Sequence, residues 1–204
     1  MIRIIDKSNI HQFPKTMDQQ FRLRHAVFVK EKGWKDFEKE GVYEKDQYDN
    51  DNATYVISID SQGDAIGCFR LYPTMLPHML SETFPNLVEG SVTRRPDVYE
   101  ITRFHLSKAA RQTTAWLELV AAIAEVGLDL GLSGVTGLTR TLRIPAMQAA
   151  GLSIRPTGLP VFMDGESNVS VIIDITEQSL SRININRGST ASVLERNLDR
   201  RDRA

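Results

Sequence analysis

Three stretches of the 204-residue chain stand out: two place ionisable groups where a fold would ordinarily put apolar ones, and one crowds carboxylates into a loop. In the first, Met17, Phe21 and Phe28 share one helical stripe, and Arg24 falls between Phe21 and Phe28. A guanidinium on an apolar face needs a partner or a ligand, unless its stem follows the stripe and its head reaches water. In the second, Glu44, Asp46, Asp49 and Asp51 crowd one short segment. Such a loop could bind calcium, although it lacks the EF-hand glycine and closing glutamate. It could instead hold an ammonium group and take a proton from it, or be a solvated acidic surface. In the third, Tyr99-Glu100-Ile101-Thr102-Arg103-Phe104-His105 sets three ionisable groups inside a strand-like run. Strict alternation sends Glu100 and Arg103 to opposite faces, and a β-bulge between them would bring them to one. His105 is a candidate acid or base, or a packed, hydrogen-bonded residue.

Other chemistries have no footing in the sequence. There is no Gly-x-Ser-x-Gly elbow, Walker loop, Rossmann glycine fingerprint or His-Glu-x-x-His pair. The histidines at 11, 25, 78 and 105 lack metal-ligand spacing, and one cysteine, Cys68, cannot form a disulfide within the chain, so no metal site is expected. Lys and Arg number 25 against 26 Asp and Glu, which argues against nucleic acid as the partner. No run of ~18 apolar residues is present, so no membrane span is expected. The opening MIRIIDKSNIHQF lacks the apolar core of a signal peptide, and a cytoplasmic location is expected.

These groups need elements to position them. The pattern predicts a helix over 16–32, with Thr16 and Gln19 at capping-box spacing and Gly33 ending it. A long loop over 35–52 leads to an antiparallel hairpin, 54–60 with 65–72. An excursion with short helical turns spans 73–96, followed by a strand over 98–106 and a mostly apolar helix over 113–130. A strand over 134–140, a short helix over 145–150 and a hairpin flanking Asp164-Gly165, with a somewhat long turn, complete a domain over 1–177. The Arg-, Ser- and Asn-rich stretch 178–204 is expected to be a frayed or extended tail. An α/β sandwich fits this order, with a mixed sheet and helices on both faces.

In order along the chain, the anomalies resemble one family. Arg24, Phe28 and Trp34 follow R-x3-F-x5-W, and Asp46-Gln-Tyr-Asp49, Arg70 in Cys-Phe-Arg-Leu, Phe84, Glu100 and Arg103 follow in sequence. The set is similar to the acyl-homoserine lactone synthases, the autoinducer synthases of quorum sensing. The resemblance implies a fold like that of the GNAT acetyltransferases, with a mostly antiparallel sheet and a splayed central cleft. It implies two substrates and no cofactor: S-adenosylmethionine and an acyl thioester, on acyl carrier protein or coenzyme A. The methionine amine attacks the thioester, and the carboxylate then attacks its own γ-carbon, closing the lactone and expelling methylthioadenosine.

On that reading Phe28 and Trp34 are walls for onium charge. Asp46 and Asp49 hold the ammonium, Asp46 aiding its deprotonation. Arg24, Arg70 or Arg103 holds a carboxylate through a two-toothed hydrogen bond. Glu100 is the base, with Arg103 orienting it or the substrate. The acyl chain is expected between the strands at 98–106 and 134–140, lined by Phe84, Phe104, Leu106, Trp116, Leu119, Ile123 and Leu142. Thr136 or Thr139 would meet an oxygen on that chain. The stretch Ser107–Thr114 has no glycine for a coenzyme A pyrophosphate, which favours a carrier-protein donor, with Arg111, Arg140 and Arg143 as basic contacts. Two alternatives remain: a general N-acyltransferase using coenzyme A, which would not need Trp34 or the Asp46/Asp49 pair, and a non-enzymatic binding module of the same fold.

Overall fold

The structure, a computed structural model, describes residues 1–195. In chain order the strands are β1 (Ile2–Ile5), β2 (Glu38–Lys39), β3 (Tyr43–Glu44), β4 (Thr54–Ile59), β5 (Ala65–Pro73) and β6 (Val98–Leu106). They continue with β7 (Gly134–Arg140), β8 (Ser153–Pro156), β9 (Val161–Met163) and β10 (Glu166–Asp174). The helices are α1 (Pro14–Arg24), α2 (Met79–Glu82), α3 (Ala115–Asp129), α4 (Ile144–Ala149) and α5 (Glu177–Arg187). The main sheet runs β1-β4-β5-β6-β7-β10-β8, with β9 also on β10. Its pairs are antiparallel except β6 with β7, the two strands that α3 connects. No helix among the described residues is long and apolar enough to cross a membrane.

Both faces of the sheet are covered. Leu119, Val120, Ile123 and Val126 of α3 pack on Phe69, Leu71, Val135 and Val171 in one core. Met17 and Phe21 of α1 pack on Tyr55, Ile57, Ile59 and Tyr72 in the other. This is the mixed, mostly antiparallel sheet with helices on both faces expected from the sequence.

Four local expectations change. The first helix starts at Pro14, and its capping box does not form. Thr16 instead accepts a hydrogen bond from Arg3, while Gln19 reaches Asp64 and the Ala65 amide. Beyond Arg24 the helix widens into a π-helical stretch, His25–Glu31, and Gly33 ends it at φ +79°. The hairpin turn at Asp164-Gly165 is tight rather than long: both residues have positive φ and Met163 pairs Glu166. The expected frayed tail is instead ordered over 178–195. Thr176 caps α5, Ile183 is buried, and Leu194 bridges Ile2 while Arg3 pairs with Glu195. Sparse aliphatics hid this helix because one side only is buried. The remainder of that stretch, 196–204, lies outside the described residues.

The feature that makes a site is a wedge in the sheet. β6 and β7 pair only over Val98–Glu100 and Gly134–Thr136. At the end of this pairing Gly137 meets Ile101 so closely that a Cβ would lie 2.5 Å from the Ile101 carbonyl oxygen. Gly137→Ala is therefore expected to force the strands apart and cost about 1–3 kcal/mol. Thermal unfolding checks this, and an unchanged Tm would show that the strands have slack there.

Candidate active site

Beyond that wedge lies a cavity of about 790 Å³. β6 supplies one wall through Glu100, Ile101, Thr102, Arg103 and Phe104, and Gly137, Leu138, Thr139 and Arg140 of β7 supply another. Glu100 and Arg103 share the cavity because the strand is irregular. Cys68 of β5 pairs with His105 and Arg70 pairs with Thr102, so Arg103 and Phe104 together face the single residue Phe69. That is the β-bulge anticipated from parity. Its mark is Arg103 at φ +55°, a backbone state that costs a non-glycine residue about 1–3 kcal/mol and persists only when neighbours hold it.

The neighbours are ionic. Arg24, Arg70 and Arg103 meet Glu44, Asp46 and Asp49, three charges of each sign, with side chains at most 4% exposed. Arg24 places Nε 2.5 Å from Glu44 and grips Asp49 with both terminal nitrogens at 2.7 and 2.9 Å. Arg70 grips Asp46 in the same manner at 2.6 and 3.0 Å and gives Nε to Thr102. Arg103 Nε donates to Glu44 at 2.9 Å. Its Nη2 is buried between two carboxylates, 2.8 Å from Glu44 and 2.7 Å from Asp46. Burial raises the Asp49 carboxyl, yet Arg24 and Arg70 outweigh that and hold it well below the usual carboxylate range.

This arrangement corrects two expectations. Asp46 and Asp49 were expected to hold an ammonium directly, but their oxygens are taken by guanidinium groups and neither lines the cavity. Arg24 and Arg70 likewise stand behind the wall, leaving Arg103 as the arginine of this set that reaches it. The carboxylates at 44, 46 and 49 thus answer to arginines rather than to calcium, while Asp51 is exposed. Glu44 joins Arg24 to Arg103 and is fully buried, a role its place in the acidic run did not reveal.

Glu100 is 2% exposed, and its two oxygens accept the Met79 amide at 2.9 Å and the Leu80 amide at 2.7 Å. Burial pushes its carboxyl up to about 7, against the two amides, which pull it down. A carboxylate poised there can take a proton near neutral pH. His105 does not share the cavity. It is buried, its Nδ1 meets the Arg103 carbonyl, and burial drops it to about 3, so it is a neutral packed residue.

Phe28 and Trp34 line the cavity as a stacked pair, ring centroids 5.0 Å apart, and the Arg103 guanidinium lies within 5.6 Å of both. Phe37, which the sequence did not single out, closes on the same guanidinium at 5.1 Å. An aromatic three residues after Trp34 was the available signal. The apolar end is formed by Phe104, Ile123, Met147, Ile154, Val171 and Ile173.

Of the nine residues expected to line an acyl pocket, Phe84, Phe104, Ile123 and Thr139 line this cavity. Leu106 and Leu119 instead pack the main core, and Trp116 stands behind Phe104, edge to face at 6.3 Å. Thr136 gives its hydroxyl to the Val171 carbonyl, and Leu142 is 72% exposed. Helical spacing cannot separate the part of α3 under the wedge from the part under closed sheet. Met147, Ile154, Val171 and Ile173 were missed because they come from elements beyond β7.

Residues 9–183 match the family model for autoinducer synthases. The isovaleryl-homoserine lactone synthase of Bradyrhizobium diazoefficiens is 33% identical over 182 residues, covering 88% of this chain and 82% of that protein. A structure of BjaI, a CoA-dependent acyl-homoserine lactone synthase, with SAM and isopentyl-CoA superposes with a TM-score of 0.90 at 30% identity, over 96% and 92% of the two chains. MesI, also described as CoA-dependent, gives 0.88 at 25% identity over 95% and 98%. With the splayed sheet, the bulge at Arg103 and a buried glutamate on one cavity, the chain belongs to the autoinducer synthase family and is an acyltransferase that makes an acyl-homoserine lactone.

Proposed function

We propose that the cavity takes S-adenosylmethionine at its aromatic end and a short or branched acyl-CoA along its apolar end. The observation that carries this is the bulge, which sets Glu100 and Arg103 on one wall beside Phe28 and Trp34. The rings attract the sulfonium. The Arg103 guanidinium, which lines the cavity, suits the substrate carboxylate. Glu100, directly or through a water, takes a proton from the substrate ammonium, whose freed lone pair attacks the thioester carbonyl. The C–N bond forms, the C–S bond breaks, and the thiolate leaves and takes up a proton from the tetrahedral adduct. A carboxylate oxygen then attacks the γ-carbon. The bond to the sulfonium breaks, its electron pair stays on sulfur, and methylthioadenosine departs as a neutral thioether.

Coenzyme A is the donor favoured here over a carrier protein. Two of the three arginines expected to meet an acidic carrier are already neutralised, Arg111 by Glu31 and Arg140 by Glu166. The relatives named above are CoA-dependent or carry a branched acyl name, which agrees. The missing glycine in Ser107–Thr114 pointed the other way on sequence alone. Isovaleryl-CoA and isovaleryl-carrier protein, compared at equal concentration with the purified enzyme, decide it. Turnover at least tenfold faster with the coenzyme A ester is expected, and turnover confined to the carrier protein would reverse the assignment. Ile123→Phe, which narrows the apolar end, is expected to shift the product distribution toward shorter chains while the lactone still forms, read by mass spectrometry of mixed acyl donors. An unchanged profile would move the acyl chain elsewhere.

A further inference from the structure

The aromatic pair that faces the cavity already has cations on it. Lys32 Nζ lies 4.8 Å from the Phe28 centroid and 5.1 Å from that of Trp34, and the Arg103 guanidinium carbon lies 5.6 and 5.4 Å from the same two. The two cations are held very differently. Arg103 is anchored by Glu44 and Asp46. Lys32 lines the cavity and, among the described residues, pairs with no carboxylate. Among the acidic side chains on the same cavity, Glu31 is engaged by Arg111 and Glu166 by Arg140. What holds its ammonium is therefore the pair of rings, on the end of a flexible four-carbon stem.

We propose that Lys32 is a resident cation in the seat that the substrate's sulfonium must take, and that it sets the enzyme's preference between the charged sulfonium and the neutral thioether that remains after reaction. This rests on the reading above that the cavity takes S-adenosylmethionine. The rings can serve one small onium centre well, because a second cation beside it meets like-charge repulsion in a partly buried site. Binding of the sulfonium then requires the ammonium to swing out toward solvent. The surroundings make that displacement easy. Burial, with the like charges of Arg143, Arg140 and Arg103, lowers the ammonium to about 8, against the pull of Glu166. When the sulfonium becomes a thioether its charge is gone, and the ammonium can return to the rings. Lys32 is thus a specificity residue that acts against the charged reactant and leaves the neutral product untouched.

Calorimetric titration of S-adenosylmethionine and of methylthioadenosine, in the wild type and in Lys32→Met and Lys32→Arg, tests this. Met fills similar space without charge. The Met variant is expected to bind S-adenosylmethionine about three- to tenfold more tightly, the span of one cation–aromatic contact, with methylthioadenosine affinity unchanged within about twofold. The Arg variant should keep the wild-type ratio. Lys32→Gln carries the same expectation as Met should the Met variant fail to fold. A ratio of the two affinities that stays at the wild-type value in the neutral variants, or S-adenosylmethionine binding that weakens in them, overturns the role of Lys32 while leaving the substrate reading intact. A wild-type enzyme that binds neither ligand overturns both.

Discussion

Replacing Glu100 with glutamine is expected to lower kcat/KM by about 10²- to 10⁴-fold, the contribution of a positioned general base. Glutamine keeps the shape of the side chain and removes the proton acceptor. The pH profile separates a base from a mere support. Because burial raises the Glu100 carboxyl to about 7, the wild type should lose activity as pH falls through that value, with the slope of a single proton. The residual activity of Glu100→Gln should not show that limb. The same shift bears on stability with the opposite sign. A carboxyl raised above its unfolded value stabilises the fold most below the ordinary carboxylate range, and that contribution is lost as pH rises through about 7. Activity should therefore fall as pH drops through about 7, while stability falls in the opposite direction, as pH rises from the ordinary carboxylate range to that value. A Glu100→Gln enzyme with wild-type kinetics and an unaltered acid limb would remove Glu100 from the reaction.

The second large effect is expected at Glu44. It is fully buried and joins Arg24 to Arg103, so Glu44→Gln leaves three arginines facing two carboxylates out of water. Breaking a buried pair from one side costs about 3–5 kcal/mol. Denaturant unfolding measures it, and a loss under about 1 kcal/mol would mean that water reaches the cluster. Activity should fall as well, because Glu44 and Asp46 hold Arg103 in its strained conformation on the cavity wall. Asp46→Asn acts through the same arginine rather than through a direct hold on an ammonium. Arg24→Lys keeps the charge but cannot grip Asp49 with two nitrogens, so it should weaken the cluster too. The cluster also fixes a pH dependence. Asp49 is held below the ordinary carboxylate range, so its contribution is complete above that range and is lost as pH falls through it toward the depressed value.

These effects show what a sequence can carry about such a site. A parity conflict between Glu100 and Arg103 was readable, because strand alternation is rigid and two groups three apart can share a wall only through a bulge. A guanidinium at position 24 on an apolar stripe was readable as needing partners, since burying it alone is prohibitive. Which partners it takes was not. Glu44, Asp46, Asp49 and Asp51 are alike in sequence, and only the path of the loop decides that three turn inward. The apolar floor was half legible for a related reason. α3 is buried over most of its length, so its pattern marks a core helix without marking where the sheet above it opens. The amides of Met79 and Leu80 that grip Glu100 left no signal at all, since backbone donors carry no residue signature. The ordered helix at Glu177–Arg187 was hidden by polar composition, its buried positions being Ser179 and Ile183.

The central claim is that one cavity performs both the acylation and the ring closure. A single-turnover reaction of the purified enzyme with S-adenosylmethionine and isovaleryl-CoA, followed by mass spectrometry of the quenched mixture, tests it most directly. Isovaleryl-homoserine lactone and methylthioadenosine are expected in equal amounts, each matched by one free coenzyme A. Acyl-adenosylmethionine accumulating with no methylthioadenosine, or coenzyme A released with no lactone, would contradict it.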